Sequence, residues 1–190
     1  MLIASQNISN YRLGLPDDCV LRINLAWCDS LDQLQSTLEK QNDKKIFLDL
    51  PIGRIKPPNN RYSLKDIIPI LKKYNNIKFF AISNVETKEN LTEFIDLIPK
   101  NIILVPKIES PSGIFNIKSI VEAIPSDEKI IMLDHDDLFS SIIKKGQNTD
   151  KFQDYIKELI DFCDNNKVSL LRTVGVIFSD DEKRLTQYVK

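Results

Sequence analysis

Six times along this chain a run of mostly apolar residues gives way to an amphipathic helical pattern. The runs are Cys19–Ala26, Lys45–Leu50, Ile77–Ser83, 102–109, Lys129–Asp134 and Val168–Phe178. Near-continuous apolar runs of this length read as strands buried on both faces. The stretches between them carry helix signals. Ser30-Leu-Asp-Gln33 is a capping box ahead of a Leu31, Leu34, Leu38 stripe. Thr87 precedes Leu91, Phe94, Ile95 and Ile98, and Asn116 precedes Ile117, Ile120, Val121 and Ile124. A helix starting near Ser63–Asp66 contains Pro69, which suits only a first turn, so a late start is expected. A long loop is expected after Asp134, then a helix over residues 150–165 and a short terminal helix opened by Ser179-Asp-Asp-Glu182.

Alternation of this kind implies a parallel sheet covered by helices. No glycine-rich phosphate turn follows the first strand, and the chain has only five glycines, which disfavours a nucleotide-binding open sheet. Polar residues gather instead at the C-terminal strand ends, where a barrel places its site. Leu2–Ala4 offers a further strand, and no sequence is left for an eighth. The expected fold is therefore α/β: a single domain over 1–190, an abbreviated TIM-type (β/α) barrel of about seven parallel strands. The N-terminal segment or a second subunit would complete it, which makes a homo-oligomer one expected state.

Bulk composition removes several classes of partner. With 26 basic and 27 acidic residues, nothing argues for nucleic acid or a membrane surface. No apolar run approaches the roughly 18–20 residues that span a bilayer, and the N-terminus lacks the pattern of a signal peptide. Cys19, Cys28 and Cys163 are odd in number and widely spaced, as expected of reduced thiols in a cytoplasmic protein.

The strand ends carry the chemistry. Lys107 and Glu109 leave one strand on the same side, because alternate residues share a face. A cation and a carboxylate where an apolar strand runs out are costly unless something there uses them. Arg22 and Asn24 alternate in the same way. Asp49 ends another strand, with Arg54 and Lys56 in the loop beyond it. Asp134, Asp136 and Asp137 end a fifth, and Arg172 and Thr173 lie in the sixth. A carboxylate pair, Glu109 and Asp137, suits Mg2+ or Mn2+ with positions open for substrate oxygens. Arg22 and Lys107 would neutralise a carboxylate or phosphate, and Lys107 would also stabilise an enolate. Lone His135 reads as a solvated loop residue, and Arg172 is assigned no role.

These stretches resemble, in order, the catalytic barrel of pyruvate kinase within the phosphoenolpyruvate/pyruvate-domain superfamily. The matching segments are Leu21-Arg-Ile-Asn24, Leu48-Asp-Leu-Pro-Ile-Gly-Arg-Ile-Lys56 and Ala81-Ile-Ser-Asn-Val85. They continue with Pro106-Lys-Ile-Glu-Ser-Pro-Ser-Gly113, Met132-Leu-Asp-His-Asp-Asp-Leu138 and Leu170-Leu-Arg-Thr173, over roughly residues 20–175. The resemblance implies that Arg22 contacts substrate phosphate, that Lys107 sits at the phosphoryl group or enolate, and that Thr173 lies near the substrate methylene. It implies Glu109 and Asp137 as ligands of the divalent metal. Asn24 and Asp49 fall where that family places K+, and Lys56 stands where it has arginine. Ala26 replaces a cation-binding serine, and His135 and Asp136 replace an Arg-Gly pair. Only Pro57-Pro-Asn-Asn-Arg-Tyr62 stands where the family inserts a lid domain, and its C-terminal domain has no counterpart.

The expected function is a metal-dependent enzyme binding pyruvate, phosphoenolpyruvate or a related 2-oxo acid or enol phosphate and stabilising its enolate. The class would be a pyruvate-kinase-like transferase or a 2-oxo-acid aldolase or lyase. A non-catalytic ligand-binding or sensing module and a structural domain are the alternatives.

Overall fold

The computed structural model describes residues 3–5, 17–53, 58 and 60–172. Seven strands are present: β1 (Ile3–Ser5), β2 (Val20–Asn24), β3 (Lys45–Leu50), β4 (Ile77–Ile82), β5 (Ile103–Ile108), β6 (Ile130–Leu133) and β7 (Ser169–Arg172). Every ladder is parallel, and the spatial order follows the chain from β1 to β7 without reversal. A doubly wound sheet would reverse its order part-way. This α/β sheet instead curls in one direction into a half-barrel, and no ladder joins β7 to β1 among the described residues.

The helices are α1 (Leu31–Lys40), α2 (Leu64–Lys73), α3 (Thr92–Leu97), α4 (Pro111–Phe115), α5 (Ile117–Ala123), α6 (His135–Lys144) and α7 (Lys151–Asn166). Their apolar stripes pack on the outer face of the sheet. Leu34, Leu38, Ile67, Ile120, Leu138, Ile142 and Leu159 join Ile46, Leu48, Phe80 and Ile131 in one large core. The inner face holds a smaller cluster of Val20, Phe47, Phe79, Ala81, Val105, Ile130 and Met132. On β3 the two sets alternate residue by residue, as the pleat requires. No helix among the described residues is long and apolar enough to cross a membrane. The three cysteines are buried and unbridged, and burial pushes the Cys28 thiol up to about 11 and the Cys163 thiol up to about 12.

Three local expectations are corrected. The helix with Pro69 does not start late: α2 begins at Leu64, and Pro69 lies inside it. Asp66 accepts hydrogen bonds from the Ser63 backbone N–H and hydroxyl, which secures the first turn. Pro69 and Lys65, whose carbonyl loses its helical partner, are exposed, so water satisfies that carbonyl. The helix after β5 is broken in two. Ser110 caps α4 through the Gly113 N–H, and Asn116 separates α4 from α5. The long loop after Asp134 is largely helix: Asp134 caps α6 by accepting from the Asp137 N–H, and Leu138 and Ile142 bury its stripe. His135 is thus the first residue of a helix, edge-on to the Phe152 ring at 6.4 Å. Of the last expected strand only Ser169–Arg172 is described. The terminal helix, with Arg54, Lys56 and Thr173, lies outside the described residues.

Candidate functional site

The inner face changes character along each strand. Val20, Phe47, Phe79 and Val105 fill its lower part. Farther along the same faces come Arg22 and Asn24 on β2, Asp49 on β3, Ser83 after β4, Lys107 and Glu109 on and after β5, and Asp134 after β6. All of these except Asp49 line one cavity of about 260 Å3, with Asp137.

Asp49, fully buried, anchors the charges. Its Oδ2 accepts from Arg22 Nε at 3.1 Å and from Arg22 Nη2, and lies 3.6 Å from Lys107 Nζ. Lys107 donates to Ser83 Oγ at 3.1 Å and sits 2.7 Å from Glu109 Oε1. Burial works against both cations. The nearby carboxylates more than offset it, Asp49 foremost, so Arg22 and Lys107 are held above their usual pKa. Glu109 is pushed above its usual range by burial, aided by Asp134 and opposed by Lys107 and the Asn84 N–H.

The two oxygens of Glu109 are treated differently. Oε2 accepts the Asn84 backbone N–H at 2.7 Å. Asn84 reaches it by adopting a left-handed conformation, φ 56°, which Asn tolerates better than most residues. Its side chain donates to the Ile52 carbonyl at 2.6 Å, tying the loop after β3 to the end of β4. Oε1 is close to Lys107 but makes no aligned hydrogen bond, although it is buried. An ion pair without a directed bond leaves that oxygen a lone pair to give.

Glu109, Asp134 and Asp137 each bring one carboxylate oxygen into a group within 4.8 Å of one another. Oxygens about 2.1 Å from a hard cation stand roughly 3–4 Å apart, so small rotations would close this set around Mg2+ or Mn2+. Two cations (Arg22 and Lys107) face four carboxylates (Asp49, Glu109, Asp134 and Asp137), an excess of two negative charges. A bound divalent ion would offset that excess.

Of the expected residues, Arg22, Asn24, Lys107, Glu109 and Asp137 are brought together on the cavity. Asp49 stands behind them, with Oδ1 buried and unpartnered. Asn24 Oδ1 accepts the Ala26 N–H at 2.9 Å and so caps the short turn Leu25–Trp27. Sequence reasoning assigned no role to Ser83, Asn84 or the wall formed by α6, and it left Asp134 unassigned beside Asp137. Ser83 was findable, because it continues the inward phase of Phe79 and Ala81. The rim is tied by Glu86, whose carboxylate accepts from Ser110 Oγ at 2.6 Å and Lys145 Nζ at 3.1 Å.

No family model and no curated protein matches the chain. Among solved structures, RipC from Yersinia pestis aligns with a TM-score of 0.60 at 16% identity, over 94% of this chain and 77% of that one. The likeness is one of fold.

Proposed function

We propose that the cavity binds Mg2+ or Mn2+ through Glu109, Asp134 and Asp137, and with it pyruvate, phosphoenolpyruvate or a related 2-oxo acid, whose enolate the site stabilises. The observation that supports this reading most is the convergence of three carboxylates with Arg22 and Lys107 at the strand ends, in front of a fourth carboxylate, Asp49. The cation would act as a Lewis acid on the carboxylate and 2-oxo oxygens. Arg22 uses Nε and Nη2 on Asp49, which leaves Nη1 to orient a substrate carboxylate or phosphate. Lys107, held above its usual pKa, stays an ammonium and so serves as a fixed positive charge beside the developing enolate oxygen rather than as a base.

One observation favours carbon–carbon bond chemistry over phosphoryl transfer. Only a short loop separates the end of β3 at Leu50 from the start of α2 at Leu64. No domain is inserted there to close over a nucleotide. An aldolase or lyase needs no such closure.

Calorimetry with oxalate, a mimic of the enolate, tests the reading. Oxalate is expected to bind in the presence of Mn2+ and to lose most of its affinity when the metal is chelated, and Glu109→Gln is expected to abolish that dependence. Oxalate binding that ignores the metal sinks the proposal. Given binding, exchange of the pyruvate methyl protons with deuterated water separates an enzyme from a sensing module.

A further inference from the structure

The cavity extends beyond the carboxylates. Asp137, Ser140, Ser141 and Lys144 all line it, and all lie on α6. They are spaced i, i+3, i+4 and i+7, so one face of the helix forms the wall. Asp137 stands at the metal end, and Lys144 lies two turns away, about 10 Å along the axis. The cavity measures about 260 Å3, enough for several waters. Pyruvate has six heavy atoms, so it occupies the metal end and leaves the rest open.

The two neighbouring lysines of α6 differ. Lys145 is committed: it donates to Ser112 Oγ at 2.7 Å and pairs with Glu86. Lys144 is exposed and meets no carboxylate or hydrogen-bond partner among the described residues, and it borders a cavity whose other end is strongly acidic. The Ser141 hydroxyl, one turn back on the same face, is likewise unengaged among the described residues, whereas Ser140 Oγ donates to the Asp136 carbonyl at 2.7 Å. An ammonium and a hydroxyl one turn apart, both facing a cavity, form a donor pair for an anionic group.

We infer that Ser141 and Lys144 form a second anion subsite, so that the ligand is a 2-oxo acid carrying a second carboxylate or phosphate at its far end. The subsite presupposes the cation site proposed above. The cation and Arg22 take the 2-oxo acid head, the chain of the ligand runs along α6, and the distal anion lies against Lys144. Pyruvate is then a fragment or product of the ligand.

Calorimetry with Mn2+ present tests this on paired ligands. Oxaloacetate, 2-oxoglutarate and 2-oxoadipate are compared with 2-oxobutanoate, 2-oxopentanoate and 2-oxohexanoate, and phosphohydroxypyruvate serves as the phosphate arm. One doubly anionic member is expected to bind roughly tenfold tighter than its singly anionic counterpart, the scale of one charge-assisted hydrogen bond. Lys144→Gln is expected to erase that preference and Lys144→Arg to retain it. Preference for the carboxylate series or for phosphohydroxypyruvate identifies the distal group. Equal binding of doubly and singly anionic members, or a preference that survives Lys144→Gln, overturns the subsite while Mn2+-dependent oxalate binding stands. Loss of Mn2+ binding itself, read with metal alone, removes the cation site and the subsite together.

Discussion

Phe47 and Asp49 lie two residues apart on the same face of β3, and both are fully buried. They belong to opposite regimes. Phe47 packs against Phe79 with ring centroids 6.0 Å apart, in a tier of Val20, Val105, Ile130 and Met132. That tier excludes water and contributes stability in proportion to the apolar area it buries. Asp49 belongs to a tier with Lys107 and Glu109, buried nearly as deeply, and half-buried Arg22, a tier held by ion pairs. Desolvating such charges cancels much of their attraction, and apolar residues of similar volume would serve the fold as well or better. Equal burial therefore has two meanings on this inner face. The lower tier contributes apolar packing to the sheet, and the upper tier is the part that the proposed cation and ligand would use.

The largest expected effects test the two tiers side by side. Phe47→Ala should cost about 3–5 kcal/mol of folding stability by opening a cavity that the curled sheet cannot close. Asp49→Ala should cost a similar amount, roughly 3–5 kcal/mol, by leaving Arg22 and Lys107 without their shared carboxylate. The losses separate on a second substitution. Adding Lys107→Met should recover part of the Asp49→Ala loss and none of the Phe47→Ala loss, as read from urea midpoints. Recovery of both, or of neither, would mean that the tiers are not energetically distinct.

A smaller effect on stability comes with a complete effect on binding. The double variant Lys107→Met, Glu109→Gln removes one buried charge of each sign from the upper tier and should leave the urea midpoint unchanged or raised. It should no longer take Mn2+ or oxalate. If it unfolds instead, the upper tier is structural, and the case for a ligand weakens with it.

The two tiers were unequally legible in the sequence. The apolar strands, their parallel arrangement and their number follow from runs of Ile, Leu, Val and Phe that only a doubly covered sheet can bury. Lys107 and Glu109 were visible because strand alternation puts them on one face regardless of tertiary context. The α6 wall was not. Its first turn is acidic and reads as a site loop, and exposed Phe139 and Ile143 blur the stripe of Leu138 and Ile142. Without that helix, nothing in the sequence places Ser141 and Lys144 on the same cavity as Glu109. Pro69 misled for a related reason, since whether a proline is tolerated depends on which side of the helix faces water. Asp49 was legible as a strand-end carboxylate, but its place behind the cavity depends on Arg22 and Lys107 both reaching toward it from neighbouring strands.

The smallest effect is one of pH. Burial, with Asp134, raises the Glu109 carboxyl above its ordinary value of 4.5. The folded protein therefore holds that proton more tightly than the unfolded chain does. The stabilisation this brings is complete below the ordinary carboxylate range and is lost as pH rises through the raised value. In the metal-free protein, the stability of wild type relative to Glu109→Gln should fall as pH rises from the ordinary carboxylate value of 4.5 through the raised one. Saturating Mn2+ should reverse that slope, because the cation takes the place of the proton and binds better as the carboxylate ionises. The measurement is the difference in urea midpoint between the two proteins at each pH, with and without metal. A flat difference in both series would make Glu109 an ordinary paired carboxylate. The upper tier would then differ from the lower only in composition, with no purpose beyond holding the sheet.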